Sequence, residues 1–473
     1  MMEINIKKNI KFLDGKNLST GFKSISLLHT VKAHSFYTAK KYNFFFIISK
    51  IFKKIFIDQI KYIIFLFQNF LTKKDTGNLK GEIILISHCV NPKQPERYDT
   101  YFGNFEKILK KENFSYVKLL INHTRLPSSI LNLKKKKNNE IFIEEYLNLF
   151  GELKILYKKF EAMIDIFILL LNRKINLKIS KNLFISLFDS QTTFSIRLNL
   201  QIKNFIKSLN PKFVILTYEG FSWERMCINA IKKFDKNIKC IGYQHTILSD
   251  NHYAIYRKIK GDYNPDFIWS SHRSSFNYLK KKSQIKKNKI IFVGNFKERK
   301  KIKINNLSKK KILVIPEGIY TECNLLFKLT LDIARKNKNF EFIWRLHPVI
   351  NIKKVFSMLK IKNEDLPNNI TISNNNLEND SRKALFVIYR GSAAVLTAVL
   401  NRCLPLFYEV KFNNFDPLIT IFNKKNYFKS KKDLFRLMKN NRYLEKNLKS
   451  KIKKIESDFF SPINKLNILK TLS

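Results

Sequence analysis

The sequence predicts an α/β protein made of two doubly wound, Rossmann-type domains that face an interdomain cleft, with a helical insertion in the first domain. Two observations predict it. Short apolar runs bounded by turn residues alternate with longer helical stretches, the pattern of parallel sheets covered by helices on both faces. A chain of 473 residues and 56.2 kDa also exceeds what one core usually organises, and 45% hydrophobic residues supply apolar material for two.

In the first half the expected strands are Ile83 to Ser87, Tyr116 to Asn122, Phe213 to Tyr218, Cys240 to Tyr243 and Phe267 to Ser270. Between about residues 128 and 210 the chain reads as mostly helical, opening with the polar run Lys134 to Asn139 and continuing through Ile141 to Leu149 and Leu156 to Leu171; this is the insertion. The Lys-rich stretch 285–310, broken by the strand-like run IIFVGNF, marks the junction, so the expected domains are 1–290 and 291–473. Strands then recur at Lys311 to Ile315, Phe340 to Arg345, Ile370 to Ser373, Phe386 to Tyr389 and Leu404 to Phe407, before basic C-terminal helices, the last of which is expected to cross back over the first domain.

The formal charge of +52 comes mostly from Lys spread along the whole chain beside abundant Asn, Ile and Phe. That is the signature of a solvated basic surface more than of a localised nucleic-acid footprint, so no nucleic-acid partner is expected. The five cysteines, Cys89, Cys227, Cys240, Cys323 and Cys403, are scattered and form no C-x-x-C pair, which indicates neither a disulfide framework nor a zinc site and fits a reducing cytoplasm. The N-terminal residues lack a continuous apolar core and a cleavage pattern, which argues against secretion. From Tyr42 to Leu71 apolar residues dominate, yet charges interrupt every run before the ~18 residues of a spanning helix. Lys50, Lys53, Lys54, Asp58 and Lys61 fall on one helical face, and Phe45, Phe46, Phe52, Phe56, Ile63 and Phe67 on the other. The segment 42–71 reads either as an interfacial helix giving peripheral membrane contact or as an amphipathic helix packed on its domain.

In doubly wound sheets ligands sit at the carboxyl ends of the strands, and several turns here carry suitable chemistry. FVILTYEGFSWERM runs a strand into Glu219 and Gly220, placing a carboxylate where an acceptor hydroxyl would need a base; the bland alternative is an acid favoured by a helix N-terminus. FVIYRGSAAVLTAVL leads through Arg390, Gly391 and Ser392 into a helix, a seat for a phosphate or merely a Ser N-cap. LVIPEGIYTE opens the second domain with Glu317 and Gly318. FEFIWRLHPVI ends a strand at Arg345, His347 and Pro348, where the imidazole is suited to donate to a departing phosphate and Arg345 to supply charge. His245, in IGYQHTI, also ends a strand, whereas His29, His34, His88 and His123 have no convergent context in the sequence. No D-x-D pair, G-x-G-x-x-G or Walker loop follows a strand, so no metal ligand and no cofactor is expected.

Taken in order, Tyr218-Glu219-Gly220, His347-Pro348 and Gly391-Ser392 resemble the acidic-Gly, His-Pro and Ser motifs of bacterial GT-B sialyltransferases, polysialyltransferases and Kdo-type capsule transferases. The stretches YEGFSWERM, GYQHT, YNPD, RLHP and YRGSAAV are similar to bacterial surface carbohydrate (capsule or O-antigen) biosynthesis proteins; the resemblance spans roughly residues 210–420. It implies a GT-B fold and a metal-independent inverting glycosyltransferase with Glu219 as general base, His347 at the donor phosphate and Ser392 binding that phosphate. The implied partners are a nucleotide-sugar donor, CMP-sugar favoured, and a glycan or glycolipid acceptor; the expected location is the cytoplasm, peripheral at the inner face of the cytoplasmic membrane where 42–71 reads as an interfacial helix. Tyr218 stands where a second carboxylate is common, and Ala393 follows Ser392 where paired hydroxyls are common. These departures keep open a CDP-alcohol phosphotransferase of teichoic-acid type, to which Gln244-His245 also points, and a non-catalytic GT-B-like assembly factor.

Overall fold

The computed structural model describes residues 80–90, 99, 101–124, 126–133, 139–175, 177–249, 252–296, 308–348, 350–410, 415–446 and 448–473, with the isolated positions 49, 60, 62 and 63. The expected amphipathic segment 42–71 therefore lies outside the described residues except at Ser49, Ile60, Tyr62 and Ile63. The chain forms two compact units, residues 1–298 with 462–473, and residues 299–461.

Unit 1 is built on a 7-stranded, wholly parallel sheet: β1 (Ile83–Cys89), β2 (Tyr116–Asn122), β3 (Glu140–Ile143), β4 (Phe213–Thr217), β5 (Lys239–Gln244), β6 (Phe267–Ser270) and β7 (Ile290–Phe292), in the spatial order β3-β2-β1-β4-β5-β6-β7. The central strands are near-continuous apolar runs because helices cover both faces: Ile83, Ile84, Leu85 and Ile86 in β1, and Val214, Ile215 and Leu216 in β4, are all fully buried. Alternate residues feed two cores, with Ile84, Ile86, Val214 and Leu216 on one face and Ile83, Leu85 and Ile215 on the other.

The region 128–210 is largely helical, with helices Ser128–Leu133, Leu149–Leu171, Leu177–Leu187 and Ser190–Leu209. The expectation of a helix over Ile141 to Leu149 is corrected: Glu140–Ile143 is the edge strand β3, and the helix begins only at Leu149, capped by the Asn148 side chain accepting from the Gly151 N–H at 2.9 Å. The short run Ile-Phe-Ile favours an extended backbone, and Glu140 is drawn into the sheet by the buried ammonium of Lys118 on β2, 2.7 Å away. After β7 the chain stays in unit 1 through Phe296, whose ring stacks between Phe105 and Tyr243. The final helix, Lys465–Leu472, belongs to the same unit. Asn464 N–H donates to the Val293 carbonyl, Asn467 to that of Phe292, each at 2.8 Å, and Ile468 and Leu472 join the core around Trp269. Gly294 has φ +77° there, and a Cβ on it would lie 2.0 Å from the Pro462 carbonyl oxygen, so the position takes glycine on both counts.

Unit 2 repeats the plan with a 6-stranded parallel sheet: β8 (Ser308–Pro316), β9 (Glu341–Trp344), β10 (Ile370–Ile372), β11 (Ala384–Arg390), β12 (Leu404–Tyr408) and β13 (Tyr427–Phe428), in the order β10-β9-β8-β11-β12-β13. Both sheets thus have the Rossmann order 3-2-1-4-5-6, and the two doubly wound domains expected from the strand–helix alternation are present. The two-residue β13, too short to carry a period, has no counterpart among the expected strands. Among the described residues no helix is long and apolar enough to cross a membrane.

Candidate active site

Where the strand order reverses, between β1 and β4, successive helices depart to opposite faces and leave a crevice at the carboxyl ends of the strands. In unit 1 that edge carries His88 at the end of β1, His123 just after β2, Thr217 to Gly220 at β4, and Gln244 to Thr246 at β5. Their side chains meet. The two ring nitrogens of His88 lie 2.8 Å from His123 Nε2 and 3.0 Å from Thr217 Oγ1, and the His88 ring packs edge-on against Trp223 and Tyr101, each 5.1 Å between centroids. Tyr101 packs in turn edge-on against His245 at 4.9 Å, and His245 Nε2 is 3.9 Å from Glu219 Oε1. Burial pushes the His88 pKa down to about 3, with His123 adding to the effect, so the ring is neutral at physiological pH.

Glu219 is the acid of this cluster. Its carboxyl is 15% exposed, and desolvation pushes its pKa up to about 7, against a hydrogen bond from Thr246 that pulls the other way. A second acid stands behind it: the buried Glu224 accepts from the backbone N–H groups of Glu219 (2.9 Å) and Phe221 (2.7 Å), which fixes the turn leaving β4. Burial and the nearby Glu219 raise the pKa of Glu224 well above the carboxylate range. Two like carboxyls in one desolvated turn resist double ionisation.

The turn is locked from the other side by Gly220 and Arg225. Gly220 has φ +81°, and a Cβ on it would come within 2.4 Å of the Ala254 carbonyl carbon. Arg225, fully buried, places its guanidinium N–H groups on the carbonyls of Gly220, Tyr263, Ala254 and Arg257 and on the Asn264 side-chain oxygen, at 2.6–3.4 Å. That is an acceptor for each of its five N–H donors. Arg225 thereby ties YEGFSWERM to YNPD. Tyr218 is fully buried, with its ring against Gly242 and the Arg225 guanidinium over it. Gln244 is also buried, bonded to Ser270 at 2.9 Å and to the Thr246 carbonyl, and shapes the His245 turn from within.

In unit 2 the expected residues gather at the corresponding edge. Gly318 follows β8 with the His347 ring lying on it, since a Cβ there would approach His347 Nδ1 to 2.9 Å. Partial burial lowers the His347 pKa from its ordinary value. Arg345 is half-buried and bonded to Asp380 at 2.9 Å and to the Asn375 carbonyl, and Pro348 is exposed. Glu317 turns its carbonyl to the Ile319 N–H at 2.7 Å. Arg390 is 1% exposed, its guanidinium on Glu322 (2.7 Å) and the Tyr408 carbonyl (3.0 Å), so its charge is held inside the unit. Gly391 has φ +69°, and Ser392 is buried; the helix beyond, Ala394–Leu400, has Ala393 as its N-cap with no side-chain cap bond, so Ser392 is not an ordinary cap.

Sequence reasoning did not single out His88, His123, Tyr101 or the buried role of Glu224. The signal for the two histidines was present in ILISHC and LLINH, each an apolar run leading to a His at or just past the strand end, but only the pairing β2-β1-β4 brings both to one edge with Glu219. Among the described residues no group of His, Cys, Asp and Glu could hold a metal ion.

No family model matches the chain. An uncharacterized protein of Methanocaldococcus jannaschii is 26% identical over 183 residues, 33% of this chain; the match spans about a third (32%) of that relative's length. Similar solved structures include a UDP-GlcNAc 2-epimerase from Neisseria meningitidis bound to UDP-GlcNAc (12% identity, 82% of this chain and 99% of that one, TM-score 0.47). The glycosyltransferase of kitacinnamycin (8%, 83% and 98%, 0.48) and a glycosyltransferase from Rickettsia africae (13%, 83% and 97%, 0.44) are further examples.

Proposed function

We propose that the chain is a metal-independent, inverting glycosyltransferase that takes a nucleotide-sugar donor, CMP-sugars favoured, and a glycan or glycolipid acceptor in surface polysaccharide assembly at the inner face of the cytoplasmic membrane. The observation that carries this reading is the Glu219 carboxyl, pushed up to about 7 at the switch point of a doubly wound sheet. A base acts best when its pKa lies near the working pH, and a sugar hydroxyl is the kind of weak acid that needs one. Tyr101, half-buried at this edge, supplies a ring surface for a pyranose, the buried Trp223 backs the His88 ring, and the His88–His123 pair, with both pKa values lowered by burial, supplies hydrogen bonds without charge.

In the reaction Glu219 takes the acceptor O–H proton, the oxygen attacks the anomeric carbon, and the bond to phosphate breaks with its electron pair leaving on the phosphate oxygen. Arg345, His347, Gly391 and Ser392 receive that phosphate, with Glu317, Gly318, Pro348 and Arg390 framing them; Gly220 and His245 set the position of the base. These roles rest on the motif resemblance together with the strand-end positions of the residues. The absence of D-x-D pairs in the sequence supports a metal-independent course.

A thermal-shift panel of CMP, CDP, UDP and GDP against the purified chain tests the donor. A selective rise with CMP is expected. A selective response to UDP or GDP would redirect the donor, and no response to any of the four would remove the nucleotide-sugar reading.

A further inference from the structure

The helix Leu149–Leu171 carries two apolar stripes on opposite sides. One faces inward through Ile155, Ala162 and Ile166, with Lys159 buried among them and bonded to Thr193 at 2.7 Å. At 100° per residue the other is centred almost diametrically opposite: Phe150 (80% exposed), Leu153, Tyr157 (62%), Phe160 (58%), Ile164 and Phe167 (53%) recur at spacings of three and four and continue to Leu171. The apolar surface so exposed is on the order of 1,000 Å², against the few hundred Å² usual for a soluble monomer. Among the described residues the core contacts of this helix are made by the stripe on the other side, through Ile155, Ala162 and Ile166.

The flank of the stripe carries a net basic charge: Lys154, Lys203 and Lys233 are exposed and gather round Lys158, with Glu161 and Asp165 on the same side of the helix. Burial lowers the Lys158 pKa and those three ammonium groups lower it further, with Glu161 opposing them. The formal charge of +52 gives the rest of the chain the same sign. Glu152, Glu161 and Asp165 together with the lysines forbid a membrane-spanning role, which leaves a helix of ~34 Å lying in the plane of an interface, its rings in the acyl boundary and its lysines at the headgroups.

We infer that the outward face of Leu149–Leu171, with Lys154, Lys158, Lys203 and Lys233 beside it, is a docking surface for an anionic lipid membrane. The face is distinct from the segment 42–71 singled out in the sequence, and it is set in unit 1, whose strand ends carry Glu219. An enzyme acting on a lipid-linked or surface-bound acceptor would gain by it, but the inference stands on the helix alone.

Co-sedimentation of the full chain with large unilamellar vesicles tests it. Wild type is expected to bind phosphatidylcholine vesicles containing phosphatidylglycerol, more weakly as salt rises, and pure phosphatidylcholine poorly. The double substitution Phe160→Ser, Phe167→Ser is expected to lower partitioning by at least about tenfold with an unchanged melting temperature, since both rings are exposed. Should that variant fail to fold, Phe160→Trp provides a second reading: a blue-shifted emission quenched by brominated acyl chains is expected with anionic vesicles. Unaltered vesicle binding by the Ser variant, no binding by wild type, or Trp emission indifferent to lipid would each overturn the inference. So would a wild-type dimer that the Ser variant dissociates without any effect on lipid, which would make the stripe a self-association surface.

Discussion

Replacing Glu219 by Gln separates catalysis from stability in one residue. The carboxyl is 15% exposed and its pKa rises from 4.5 to about 7 on burial. Because the folded pKa is raised, the folded state holds its proton more tightly than the unfolded chain. Stability from this group is present at low pH and is lost as pH climbs from about 4.5 through about 7. At 1.36 kcal/mol per unit the ionised carboxylate costs the fold about 3 kcal/mol above pH ~8. Gln removes the ionisation and still accepts a hydrogen bond from Thr246, and it relieves the buried Glu224 of a like charge. The variant should therefore unfold at a higher temperature than wild type near pH ~8, by roughly 5 °C for a unit of this size, with the gap nearly closed near pH ~4.5. Turnover should fall by about 10²–10⁴, nucleotide binding should persist, and wild-type kcat/KM should drop about tenfold per pH unit below ~7. Calorimetry at two pH values and a transfer assay across pH check these outcomes. Equal melting of both proteins at both pH values would refute the desolvated carboxylate, and retained turnover would refute the base.

Arg225→Met should destabilise unit 1 by about 3 kcal/mol or more, seen as a lower urea midpoint, because it strands buried carbonyl oxygens of Gly220, Ala254 and Arg257. Gly220→Ala should cost about 2 kcal/mol or more and lower activity, since it combines φ +81° with a Cβ driven to 2.4 Å from the Ala254 backbone; a parallel Gly261→Ala, whose Cβ has no contact under 3.7 Å, isolates the cost of positive φ alone. Lys118→Met should cost about 3–5 kcal/mol, because the buried ammonium lies among Glu106, Glu140 and Asp99, whose charges raise its pKa despite burial.

Much of the fold was legible because parallel strands buried on both faces leave continuous apolar runs, and β1, β2, β4, β5 and β6 stand within a residue or two of the runs read from the sequence. The strand β3 escaped because four residues, Glu-Ile-Phe-Ile, are too few to distinguish strand from helix by period, and their state is decided by pairing with β2 and by Lys118. The candidate site was legible one strand end at a time. Glu219, His245, His347 and Ser392 each announced themselves by following an apolar run into a polar turn, and His88 did so equally, yet in a list of strand ends it looked isolated.

What the sequence by itself determined is the alternation of strands and helices and the chemistry parked at each strand end, because these depend on local periodicity and on residues a few positions apart. The tertiary structure alone decided which ends are neighbours. Parallel pairing in the order β2-β1-β4-β5 brings His123, His88, Glu219 and His245 to one edge from four separated stretches of chain. The same burial raises Glu219 toward neutrality, turns Tyr218 inward, and commits Arg390 to Glu322. Desolvation and partner choice are properties of the packed surroundings, and no local pattern encodes them.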